Sequence, residues 1–216
     1  MRDLFNRDNW YTRFMEKLFN ICLLNVLFFV TCLPVVTIGA SITAMYSVLV
    51  KICNDRESGI VKLYFKELRR GFVYGTKQFF FPLLILALMI FDIGYWAGSS
   101  SGISPLGYIA TAAMIMLWCC WMMWLCPLSV TFDNTVRNTM INAGKFALSF
   151  LPLTFIISAA SLAIFVVLIA SPGLMPLLAI GAFTGIAYGQ CMYVDHALKK
   201  YMKEHPDLYD IQVTDK

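Results

Sequence analysis

Residues 18–50 read LFNICLLNVLFFVTCLPVVTIGASITAMYSVLV, 33 positions without one charged side chain. As a single helix the run would rise about 50 Å, at about 1.5 Å per residue. The hydrocarbon core of a bilayer is about 30 Å thick. The run must therefore fold back, and Pro34 with Gly39 supplies breakers where a turn is needed. Two more uncharged runs follow, residues 93–132 and 146–194. They also exceed one span and carry internal breakers: Gly98-Ser99-Ser100-Ser101-Gly102 with Pro105 in one, Ser171-Pro172-Gly173 with Pro176 in the other. No run alternates polar and apolar residues at period two. Helices, which satisfy their backbone groups internally, are the expected spanning elements.

The composition agrees. The 216 residues are 59% hydrophobic and 14% charged, with a mean hydropathy of +0.70. Soluble domains run nearer about 45–50% apolar and about 25% charged. This chain lacks the polar side chains to coat a water-facing surface, which excludes an ordinary cytosolic enzyme, a disordered tail and a nucleic-acid module. The expected fold is all-α: a polytopic integral membrane protein, one membrane domain over 1–216, with about six membrane helices in three hairpins. The candidate spans are 18–33, 38–52, 78–97, 105–126, 150–170 and 174–194, giving hairpins at 18–52, 78–126 and 150–194. An arm at 1–17, linkers at 53–77 and 127–149, and a tail at 195–216 complete the chain. The first two candidates are short, about 24 Å each by helical rise. They read either as two tilted spans or as a re-entrant hairpin. The arm contains Asp3, Asp8 and Glu16, and the apolar run continues past Gly39-Ala40-Ser41, so retained membrane structure is expected rather than a signal peptide.

Lysine and arginine total 17 against 13 acidic residues, a net charge of +4. They fall in the arm, in 51–77, in 127–149 and in the tail, and none falls in the turns at 98–104 and 171–173. The positive-inside rule then expects a multi-pass cell-membrane protein with both termini and both linkers cytoplasmic and those two turns outside. Residues 61–79 pattern as an amphipathic helix, with Leu63, Leu68, Phe72 and Phe79 on one side and Lys62, Lys66, Arg69, Arg70 and Lys77 on the other. Such a helix suits an anionic membrane interface, where each basic residue contributes about 1 kcal/mol. Topology determination and docking to a cytosolic partner are the other readings of the face. Lys62, Lys66, Arg69 and Arg70 are its candidate lipid or partner contacts. The joints at 75–83 and 144–153 share a basic residue, aromatics and Pro-Leu, which suggests a repeat with proline in the first turn of a span.

No nucleotide loop, hydrolase elbow or zinc-protease motif occurs. The seven cysteines lie in or beside apolar segments, without metal-ligand spacing. No catalytic residue, cofactor or metal is expected, and the chain is not expected to be an enzyme. Asp92 is the main ionisable residue inside an apolar span, a placement that costs about 2.5–3.5 kcal/mol at mid-bilayer. It reads either as a transport contact or as an anchor near the outer end, beside Tyr95-Trp96. Asn25 and Gln190 suit hydrogen bonds between helices. Pro34, Thr37 and Gly39 belong to a sharp turn followed by small residues, which let backbones approach closely. Trp118, Trp121 and Trp124 read as an aromatic belt at the inner interface.

Leu24-Asn25-Val26-Leu27-Phe28-Phe29 and the block from Leu33-Pro34 through Thr37, Gly39 and Ala44 to Tyr46 resemble the hallmark of the YesL family. These are small multi-pass membrane proteins, mainly of Gram-positive bacteria, long described as a domain of unknown function. Its members are often encoded beside carbohydrate ABC uptake systems and glycan-degrading enzymes. The resemblance implies an auxiliary subunit or assembly factor of such an importer, with ABC permease subunits and membrane lipids as partners. It brings no catalytic residues. A stand-alone small transporter or channel is the alternative, and it requires Asn25, Asp92 and Gln190 to converge on one pathway.

Overall fold

The computed structural model describes residues 10–34, 37–54, 59–99, 103–132, 134–171 and 173–204. Arg2, Arg7, Arg56 and Lys216, the tip of the Gly-Ser turn at 100–102, and Pro172 lie outside the described residues. All regular structure within them is helical. In chain order the elements are α1 Trp10–Thr31, α2 Ile38–Cys53, α3 Ile60–Arg70, α4 Phe72–Gly98, α5 Ser104–Thr131, α6 Val136–Ser149, α7 Leu151–Ala170, the single turn α8 Met175–Leu177, a π-helical segment Leu178–Ala182, and α9 Phe183–Glu204.

Among the described residues, four helices are long and apolar enough to cross a membrane: α1 from Phe14, α4, α5 and α7. Their outward faces remain apolar, with Leu88, Phe91, Ile109, Leu117, Ile156 and Val166 exposed. The chain is an all-α polytopic membrane protein, and lipid is the solvent for these faces. α2 is different. Its 16 residues rise about 24 Å, and it is buried on nearly every side, from Gly39 to Ile52. A helix apolar all round belongs inside a bundle, and α2 packs against α1, α3, α4, α5 and α9. The core around it adds Leu24 and Phe28 of α1, Trp124 and Leu125 of α5, and Cys191 and Val194 of α9.

Several expectations need correction. The end of the arm and the first candidate span, as far as Thr31, form one unbroken helix, α1, because nothing between Trp10 and Thr31 breaks it. The amphipathic stretch 61–79 is not one helix: it breaks at Gly71, and Phe72 already begins α4. α3 starts after Gly59, which adopts the left-handed φ of 58° that glycine tolerates. Ile60 and Tyr64 are the buried residues of α3, whereas Phe65, Phe72, Val73 and Phe80 are exposed. The last candidate span is not one helix either, since the π-helical segment and a kink at Gly181 precede α9. The two proline joints also differ. Pro152 stands in the first turn of α7, but Pro82 lies inside α4, so its missing N–H leaves the Gln78 carbonyl without its helical donor.

Trp124 is not a belt residue. It is fully buried and stacked between Phe146 and Phe150, each ring centroid 5.4 Å away. Its indole N–H donates to Thr154 Oγ1 at 3.1 Å, and that of Trp121 donates to the Met140 carbonyl at 3.1 Å. These two indoles join α5 to α6 and α7.

Candidate functional site

The first hairpin closes through hydroxyls. Thr37 Oγ1 donates to the carbonyls of Thr31 and Pro34, each at 2.6 Å, and the Thr37 N–H donates to the Pro34 carbonyl at 3.0 Å. Ser41 Oγ donates to Thr31 Oγ1 at 3.0 Å, and Thr31 Oγ1 shares a 2.5 Å hydrogen bond with the Tyr64 hydroxyl. The turn is thereby tied to α3. Burial pushes the Tyr64 phenol above its ordinary pKa, against the lowering effect of its hydroxyl partners, so it stays protonated. At the second position of α2, Gly39 lies against α4. A Cβ there would stand 2.6 Å from the Gly75 carbonyl oxygen and 3.1 Å from Phe79 Cβ. The expected close approach at Gly39 is therefore realised, with Gly75 as its counterpart.

Asn25 is fully buried in α1. Its Oδ1 accepts from the Thr184 hydroxyl at 2.8 Å and from the Thr184 backbone N–H at 3.3 Å. Thr184 is the second residue of α9, just beyond the Gly181 kink. A broken helix exposes first-turn N–H groups that have no intrahelical partner, and Asn25 satisfies one of them from 159 positions away. Asp92 accepts from Thr111 Oγ1, and Trp96 covers Gly107, so both contacts join α4 to α5. Gln190 is half-buried on α9.

A polar cavity of about 1040 Å³ opens where α2, the α3–α4 junction, the end of α5 and the start of α6 meet. Lys51, Arg70 and Lys77 line it, with Glu67 as the facing carboxylate. Lys51 Nζ pairs with Glu67 Oε1 at 2.8 Å. Asn54, on the same wall, accepts from Lys199 Nζ at 2.9 Å, and Lys199 also pairs with Asp195 at 2.5 Å. The cationic groups of the first linker and of α9 thus gather at one end of the bundle. A second cavity, of about 560 Å³ and mostly apolar, lies between α1 and the Gly181 kink. Asn25, Asp92 and Gln190 line neither of these two. Of the four cations on α3 singled out in the sequence, all are exposed, and Arg70 alone reaches the polar cavity.

Sequence reasoning passed over Tyr64, Thr184, Lys51 and Lys77 as members of these sites. It also passed over Gln78, which is fully buried with neither amide atom hydrogen-bonded among the described residues. An amide at the edge of an apolar run was the available signal for Gln78. Nothing local marked Thr184 as the partner of Asn25.

A family model described as a protein of unknown function, DUF624, matches residues 21–93. Those residues comprise the second half of α1, all of α2 and α3, and α4 as far as Ile93. No curated protein and no solved structure matches the chain.

Proposed function

We propose that this chain is a non-catalytic, YesL-like subunit of the bacterial cell membrane, serving a carbohydrate ABC uptake system as an auxiliary or assembly component. The observation that carries the reading is the distribution of packing. The shared family segment supplies a tightly packed centre around α2, while the distal halves of α4, α5 and α7 present long apolar faces suited to packing against other membrane helices. Asn25 and Asp92 support it too, since each is used to join this chain's own helices. A stand-alone transporter would need them, with Gln190, on a common pathway. The chain hydrolyses no ATP on this reading, and its partner complex supplies the energy.

Placing the basic end in the cytoplasm follows from the positive-inside rule. A span of about 20 residues, counted back from Gly98, ends near Phe79. Gly75 then lies on the cytoplasmic margin, and so does Gly39, which packs on it. On this reading the tip of the first hairpin, beside Gly39, reaches only the cytoplasmic margin, and the hairpin does not cross the bilayer. The test of function is affinity purification of tagged chain in mild detergent, from cells expressing its neighbouring transport genes. Reproducible recovery of permease subunits supports the assignment. Recovery of the chain without them, from membranes where the permease is present, refutes it.

A further inference from the structure

The polar cavity has a charge pattern that packing between helices does not explain. Among the described residues, three cations and one carboxylate line it, and the carboxylate is already held by Lys51. Arg70 and Lys77 remain, with no ion-pair partner among the described residues. Both face the same concavity in a chain with few charges to spare. Like charges gathered around one recess repel each other, and an anion between them relieves the repulsion.

The surrounding wall points to the same ligand sign. α6 begins at the cavity: Asn134, Thr135 and Val136 line it, and Thr135, the residue preceding the helix, makes no side-chain cap. The positive end of the dipole of a 14-residue helix therefore lies at the recess. Ser47, Thr131 and Asn134 add neutral hydrogen-bonding groups. Val50, Val73 and Phe132 form an apolar part of the wall. A volume of about 1040 Å³ far exceeds what a bare phosphate ion fills and falls at the upper end of sites for small organic ligands. A guanidinium binds phosphate through a two-pronged donor fork, with an ammonium as the matching point charge.

We infer that this cavity is a binding site for a phosphate ester of a hydroxylated compound, its phosphate held by Arg70, Lys77 and the start of α6, and its hydroxyls by Ser47, Thr131 and Asn134. The site does not depend on the transport partnership above. Two sources share this chemistry: the glycerophosphate headgroup of an anionic lipid entering from the bilayer, and a soluble sugar phosphate.

The full chain purified in detergent distinguishes them. Its thermal unfolding is measured with glucose 6-phosphate, with glucose as the uncharged reference. Native mass spectrometry measures retention of phosphatidylglycerol against phosphatidylcholine. The cavity variant is Arg70→Gln with Lys77→Gln, both exposed positions that the fold tolerates. The control is Lys62→Gln with Lys66→Gln, which removes the same charge from the outer face of α3. The expected result is selective binding of one phosphate-bearing probe, weakened at least about tenfold in the cavity variant, as loss of charge-assisted hydrogen bonds requires, and unchanged in the control. A soluble source shows as a shift with glucose 6-phosphate, and a lipid source as selective retention of phosphatidylglycerol. Absence of both, or equal weakening in the two double variants, overturns the site, the latter by showing a diffuse basic field instead.

Discussion

Replacing Gly39 with alanine tests the contact on which the bundle is centred. The new methyl would stand 2.6 Å from the Gly75 carbonyl oxygen, 3.1 Å from its carbonyl carbon and 3.1 Å from Phe79 Cβ. Two of these neighbours are backbone atoms, so no rotamer change relieves the clash, and α2 and α4 must separate. Overpacking of this kind costs about 1–3 kcal/mol. Alanine recovers up to about 1 kcal/mol of helix propensity over glycine. The net expectation is a destabilisation of about 1–2 kcal/mol, roughly a 5- to 30-fold fall in the folded-to-unfolded ratio. Gly144→Ala is the internal reference: it too lies within a helix, α6, but a Cβ there meets nothing within 4 Å. It should be neutral or slightly stabilising. Reversible unfolding in mixed micelles, followed by tryptophan fluorescence, measures both. Equal stability of Gly39→Ala and Gly144→Ala would refute the close approach of α2 and α4.

Asn25→Ala should destabilise by about 1 kcal/mol, since it strands both the Thr184 hydroxyl and its N–H; Thr184→Val should cost less, because Asn25 keeps the N–H, and the reverse order in the same unfolding assay would contradict the capping role. A double-mutant cycle of Asp92→Ala and Thr111→Val should show coupling of about 1 kcal/mol, and additive effects would mean that Asp92 does not anchor α4 to α5. For topology, Leu33→Cys uses a tip residue that is 81% exposed. A membrane-impermeant maleimide should label it in inverted vesicles and not in intact cells, with the wild-type chain as blank; labelling from outside would exclude a first hairpin whose tip stays on the cytoplasmic side.

Legibility varied with the range of the interaction. Uncharged runs and breakers were enough to expect an all-α membrane chain of about six membrane helices, the first two short; four described helices are long and apolar enough to cross, whereas the burial of the short α2 and the break of the last candidate at Gly181 were not legible. Spans and turns depend on local hydrophobicity and backbone preference, which a sequence window contains. The α3–α4 break at Gly71 was missed because the apolar periodicity runs on through it. Trp124 misled for a related reason: tryptophans on several faces of one helix fit a lipid interface and a core equally well, and the rings of Phe146 and Phe150 place this one in the core.

What the sequence determined by itself is the solvent and the element type. A chain this poor in charge must bury its backbone in helices within lipid, whatever their arrangement. Only the tertiary structure decided which polar groups meet. Asn25 finds Thr184 across 159 positions, Gly39 finds Gly75, and Lys51, Arg70 and Lys77 face one recess from separate segments. Those meetings depend on the rotation and offset of each helix against its neighbours. Many mutual contacts set these together, and no local pattern of residues encodes them.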